Sequence, residues 1–187
     1  MIKNYQYIIF NKPYGVLCQF TGEAGDITLA NFNLPKDVYP AGRLDKDSEG
    51  LLLLTNDGIF NQKVTNPKSK KEKTYWVQVE KIPSDDDLQR LMRGVKIKDY
   101  TTAPCKVRKI SPPNIEERDP PIRFRKNIPT QWLEIKISEG KNRQIRRMTA
   151  NIGFPTLRLV RVGIGKYTNT NLASGQWIKV GPKDIIG

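Results

Sequence analysis

Two stretches of alternating side chains restrict the fold more than any other feature of this sequence. Over Thr74–Val79, Tyr75, Val77 and Val79 alternate with Trp76, Gln78 and, one step beyond the run, Glu80. Over Trp132–Ile137, Leu133, Ile135 and Ile137 alternate with Trp132, Glu134 and Lys136. A period of two sends one set of side chains to each face of a sheet, so both runs predict half-buried antiparallel strands. Tyr5–Asn11 is a further β-rich run, closed by the turn signal Lys12-Pro13-Tyr14-Gly15. Leu51–Leu54 is too short for a helix and predicts a buried strand. Ser84 ahead of three aspartates opens a helix whose apolar face is Leu88, Leu91 and Met92, and Gly94 ends it. Asn142 is expected to cap a second helix, in which Ile145, Met148 and Ile152 recur at helical spacing. Ser111–Pro129 carries Pro112, Pro113, Pro120, Pro121 and Pro129, which predicts an extended surface excursion. No linker divides the chain, so the expectation is a single α+β domain over residues 1–187, built as two lobes.

Charge and residue usage narrow the chemistry. Lys and Arg number 32 against 19 Asp and Glu, a formal net charge of +13. The excess is uneven: Gly140–Pro182 contains no acid but holds Lys141, Arg143, Arg146, Arg147, Arg158, Arg161, Lys166 and Lys179. Lys63, Lys68, Lys70, Lys71 and Lys73 form a second cluster with only Glu72 among them. Such a field attracts polyanions, and a nucleic-acid backbone is the natural partner, although a generic solubilising surface is the plainer alternative. Arg118, Arg123, Arg125 and Lys126 of the proline-rich excursion are further candidates for RNA contact. Histidine is absent, which removes the commonest general base and every Ser-His or Cys-His pair. Cys18 and Cys105 have no metal-ligand spacing and predict reduced thiols in a cytoplasmic protein. No apolar run approaches the roughly 20 residues that span a bilayer.

The densest signal is Tyr39–Gly50, where Gly42 and Gly50 bracket Arg43, Asp45, Lys46, Asp47 and Glu49 just ahead of the leucine run. Loops mounted on rigid strands are where reactive groups tend to sit. Taken alone, Asp45 also fits an ordinary turn aspartate, and Asp45, Asp47 and Glu49 fit part of a carboxylate metal loop that lacks the glycine and distant Glu of an EF-hand.

Three motifs together resemble the RsuA-type rRNA pseudouridine synthases: Asn11-Lys12-Pro13-x-Gly15, the run Gly42–Gly58 around Asp45, and Glu139–Met148. Lys73-Thr74-Tyr75 and Leu159–Gly165 are similar to two further family motifs in the same order. Pro121–Lys126 with Ile128-Pro129-Thr130, and Gly153–Arg158, resemble the large-subunit synthase E branch. The catalytic motifs begin by residue 11, so no N-terminal S4 RNA-binding domain is expected.

The resemblance implies a pseudouridine synthase fold, with a mixed, mostly antiparallel sheet in two lobes around one cleft. It implies an isomerase that acts as a cytoplasmic monomer on 23S rRNA without cofactor or metal. The reaction breaks a uridine's N1–C1′ bond and rejoins the base through C5, with no net gain or loss of electrons. By the same resemblance Asp45 is the catalytic carboxylate, and Arg146 is the cation that keeps it charged. Tyr75 stacks on the target base, Leu159 walls the base pocket, and Arg43 fills the gap left when the uridine is extruded. Lys71, Lys73, Arg143, Arg147, Arg158 and Arg161 are expected on the RNA backbone. Three routes stay open for Asp45: attack at C1′, attack at C6, or formation of a glycal by loss of the 2′ proton.

Overall fold

A computed structural model describes residues 4–122 and 127–186; Arg123, Arg125 and Lys126 lie outside the described residues. The chain first forms β1 (Tyr7–Lys12), β2 (Val16–Leu17), β3 (Ile27–Thr28), β4 (Tyr39–Pro40), β5 (Glu49–Thr55) and α1 (Gly58–Thr65). Next come β6 (Lys73–Glu80), α2 (Asp85–Arg93), β7 (Lys96–Ile97), β8 (Tyr100–Thr101), β9 (Lys106–Ile110), β10 (Thr130–Ile137) and α3 (Gln144–Asn151). It closes with β11 (Thr156–Ile164), β12 (Tyr167–Thr168), β13 (Trp177–Lys179) and α4 (Pro182–Ile186). Two compact units result: Met1–Lys71 with Arg161–Gly187, and Glu72–Val160.

In the first unit β1 pairs antiparallel with β13 on one side and β5 on the other, and β4 runs antiparallel to the far end of β5. All seven residues of β5 are buried. Leu52 and Leu54 pack with Ile8, Phe10, Val16 and Leu29 on one face, while Leu51 and Leu53 pack with Ile9, Phe60, Val64 and Ile185 on the other. That two-sided cover is why the leucines run unbroken instead of alternating. Each contributes about 2 kcal/mol through burial. Asp57 ends this region of the sheet twice over: one oxygen caps α1 at the Phe60 amide (3.0 Å) and the other accepts from the Tyr7 hydroxyl (2.8 Å). Burial, helped by that carboxylate, pushes the Tyr7 phenol up to about 12.

In the second unit β10 lies antiparallel between β6 and β9, with Ile135 opposite Tyr75 and Leu133 opposite Val77. The alternation read from the sequence is the burial pattern observed: Tyr75, Val77 and Val79 are buried, and Trp76, Gln78 and Glu80 only partly so. Strand β9 ends the order β6-β10-β9, and its cations are matched by acids. Lys106 meets Glu72 at 3.1 Å, Arg108 meets Glu134 at 2.9 Å, and Lys109 meets Asp85 at 3.1 Å. The Arg108 guanidinium holds the Glu134 carboxyl below its usual range. Charged side chains of this kind discourage another chain from adding to an edge. The ladders named here are antiparallel; the two-residue pair β2–β3 runs parallel.

Helix α2 starts at Ser84 in a full capping box with Asp87 and stops at Gly94 (φ 98°), as the sequence predicts. Helix α3 differs. Its N-cap is Arg143, in the left-handed region (φ 50°) and without a side-chain cap bond. Asn142, expected to be the cap, instead accepts a hydrogen bond from the Arg147 guanidinium (2.9 Å). The described parts of Ser111–Pro129 contain neither helix nor strand, in line with the proline content. Among the described residues no helix is long and apolar enough to cross a membrane.

Candidate active site

The loop of residues 41–48 joins β4 to β5, and the pairing of those strands makes it the tip of a hairpin. Its position is fixed through main-chain groups on both sides of Asp45. The Leu44 amide donates to Cys18 Sγ (3.3 Å), the Ser48 amide donates to the Asp45 carbonyl (3.0 Å), and the Gly15 amide donates to the Lys46 carbonyl (2.8 Å). Lys46 itself pairs with Asp26 at 2.9 Å on the surface. Asp45 is half-buried and Arg43 is exposed.

Beneath the loop lies Lys12, fully buried. Its ammonium donates to the carbonyls of Pro13 and Val16, each at 2.9 Å, and reaches that of Lys46 at 3.5 Å. A buried ammonium is tolerated only where its donors are used in this way. Burial pushes Lys12 down to about 8, with Cys18, Glu49 and Asp47 favouring its charge and Arg161 opposing it. Lys12 was legible only as part of the Asn-Lys-Pro-x-Gly motif; nothing local in the sequence marks a lysine in a strand as buried.

This shift has a thermodynamic consequence. The folded state binds the Lys12 proton with a pKa near 8, the unfolded chain near 10.4. Below pH 8 both states are protonated and the folded state carries the full cost of the buried charge. Between about pH 8 and 10.4 the unfolded state holds more protons, so stability rises with pH, by about 3 kcal/mol at most. Urea unfolding of the protein and of Lys12→Met is expected to show the wild type gaining stability relative to the variant from pH 7.5 to 10. A difference that stays flat over that range would mean that Lys12 titrates as a solvated lysine.

Arg161 also belongs to this buried group. It is 5% exposed, and its Nε donates to the Leu51 carbonyl at 2.6 Å. Expected from the sequence on an RNA backbone, Arg161 here has its guanidinium turned inward onto β5. Gly50 explains how. Gly50 lies opposite Lys12 across the β1–β5 ladder, and a Cβ there would sit 2.2 Å from the Arg161 carbonyl oxygen. Only glycine lets the Arg161 backbone come so close.

In the second unit Tyr75 is 7% exposed on β6 and Leu159 is 5% exposed on β11. Arg146 is half-buried in the first turn of α3. Arg158 is 9% exposed. Lys73 reaches the Glu139 carbonyl at 3.3 Å, while in the first unit Lys71 reaches that of Ile186 at 3.4 Å. Arg143 is exposed and Arg147 half-buried. Asp45, Asp47 and Glu49 make no metal loop of the kind considered from the sequence: among the described residues no three His, Cys, Asp or Glu side chains are grouped to hold a metal ion.

Comparison with known proteins identifies the family. The model of the RNA pseudouridylate synthase family matches residues 6–151. This chain belongs to that family. With it the chain is an enzyme, an isomerase. The ribosomal large subunit pseudouridine synthase E of Vibrio parahaemolyticus is 59% identical over 179 residues, covering 96% of this chain and 75% of the relative. The ribosomal large subunit pseudouridine synthase B of Bacillus subtilis is 34% identical, covering 96% and 69%. The crystal structure of a pseudouridylate synthase matches the fold with a TM-score of 0.79 at 27% identity, over 98% of this chain and 73% of that one. The fold is thus the α+β pseudouridine synthase fold, and the identities agree with the large-subunit branch that the motifs resemble.

Proposed function

We propose that this synthase isomerises one uridine of 23S rRNA to pseudouridine, with Asp45 as its catalytic carboxylate. The observation that carries this reading is the family match over residues 6–151, which takes in Asp45, Tyr75 and Arg146, joined to the 59% identity with a relative named for the large ribosomal subunit. The atoms balance within the substrate: N1–C1′ breaks, C5–C1′ forms, C5 loses its proton and N1 gains one. What the protein must supply is a reactive carboxylate, a place for the free uracil, and a way to extract the nucleotide from its stack.

Asp45 supplies the first, on a loop anchored through main-chain groups on both sides of it. In this reading Arg146 is the cation partnered with the Asp45 carboxylate, as the family resemblance implies. Tyr75 offers a ring face on which uracil can turn while staying stacked, and Leu159 an apolar wall. Arg43, exposed at the loop tip, is suited to take the place of the extruded base, a step that costs a few kcal/mol. Lys71, Lys73, Arg143 and Arg147 extend the basic surface to the phosphates, and binding weakens as salt rises. The protein acts in the cytoplasm as a monomer, and no metal or cofactor enters the reaction as written.

The experiment is a pseudouridine map of 23S rRNA from cells that lack the gene. One modified position is expected to disappear and to return when the gene is restored. A map identical with and without the gene would refute the assignment to this RNA.

A further inference from the structure

Helix α3 carries Arg146 in its first turn but has no cap of its own. Its start is held instead by the side chains of Gln144 and Glu139. The Gln144 side chain, 3% exposed, accepts from the Lys141 amide (3.1 Å) and donates to Glu139 Oε2 (2.5 Å). The same carboxylate oxygen accepts from the Ala103 amide (3.0 Å), just after β8. Lys73, at the start of β6, donates to the Glu139 main-chain carbonyl. Burial, and then the charge of Glu139, pushes the nearby Cys105 thiol up to about 11. One carboxylate therefore ties the helix entry to the segment after β8, and the backbone of the same residue ties it to β6.

We propose that Glu139 and Gln144 are positioning residues that fix the Arg146 guanidinium for the reaction. This rests on the reading of Arg146 given above. An ordinary N-cap would satisfy the orphan amides of the first turn, but it would leave the left-handed Arg143 junction free to rock. The Glu139–Gln144 pair instead clamps the residue two positions before Arg146. A displacement of about 1 Å in a group that must face a reacting centre costs on the order of 100-fold in rate.

The test uses the full-length protein and an rRNA fragment carrying tritium at uridine C5, with turnover read from tritium release. Glu139→Ala is expected to lower kcat roughly 100-fold while KM and RNA affinity stay within about threefold. Glu139→Gln should stay near wild type, because an amide oxygen has two lone pairs and can accept from the same two donors. Gln144→Glu, which keeps the shape but sets two carboxylates together, should fall like Glu139→Ala. Adding Glu139→Ala to Arg146→Ala should cost nothing more, since residues that act through one group are not additive. Thermal unfolding of each variant separates lost fold from lost positioning. An impaired Arg146→Ala beside a Glu139→Ala of normal kcat would overturn this proposal alone, as would a Glu139→Gln as impaired as Glu139→Ala. Wild-type turnover by Arg146→Ala would overturn both this proposal and the reading of Arg146.

Discussion

Gly50→Ala is expected to yield a protein that is largely unfolded or insoluble. The residue has φ 100°, where an L side chain is strained, and the added Cβ would meet the Arg161 carbonyl oxygen at 2.2 Å and its nitrogen at 2.6 Å. These are main-chain atoms, so no side chain can swing away to relieve the clash. The strands involved have nowhere to go. β5 is buried along its whole length, and Arg161 is bonded to Leu51 in that same strand. Positive φ costs about 1 kcal/mol and overpacking typically about 1–3 kcal/mol more, with the Arg161 and Lys12 packing disturbed in addition. A loss of about 4 kcal/mol is a large fraction of the 5–15 kcal/mol that holds an ordinary domain together. Any soluble fraction should melt about 8–16 °C lower. Gly58→Ala is the control. It opens α1, its added Cβ meets nothing within 4 Å, and its melting temperature should hold or rise slightly. A Gly50→Ala protein melting within about 2 °C of wild type would contradict this account of the sheet.

The contrast between these two glycines shows what the sequence conveys and what it hides. The strands β6 and β10 were legible because their period of two is imposed by one buried face, and β5 because a leucine run follows from two. Helix α2 was legible because Ser84 and Gly94 cap it by local chemistry. Helix α3 begins differently from the sequence expectation because Gln144, not Asn142, holds the segment before it, through Lys141 and Glu139. Glu139 is tied in turn to Ala103, 36 residues away, which no local pattern records. Arg161 reads as one more cation in a basic segment until the missing side chain at Gly50, far away in sequence, is seen to make room for it. Lys12 is hidden for the same reason. Asp45 is the reverse case. Ambiguous as a lone aspartate, it was singled out by the whole motif around it, and the fold adds the means by which its loop is held.

Those means make the second prediction a clean one. The loop is anchored through the Leu44 amide, the Asp45 carbonyl and the Lys46 carbonyl. Asp45→Asn preserves side-chain shape and leaves those anchors in place. An amide cannot attack C1′ or C6 as a carboxylate does, nor take up a 2′ proton. Turnover is therefore expected to fall at least about 1000-fold, equivalent to about 4 kcal/mol of transition-state stabilisation. The basic surface is untouched, so RNA affinity should stay within about threefold at a fixed salt concentration.

Tritium release from C5-labelled 23S rRNA, measured for wild type and Asp45→Asn side by side with RNA binding, addresses the central assignment. The account predicts release by the wild type into RNA of unchanged length, none above background by the variant, and similar binding by both. Equal release from the two proteins, or RNA that is shortened instead of isomerised, would contradict it.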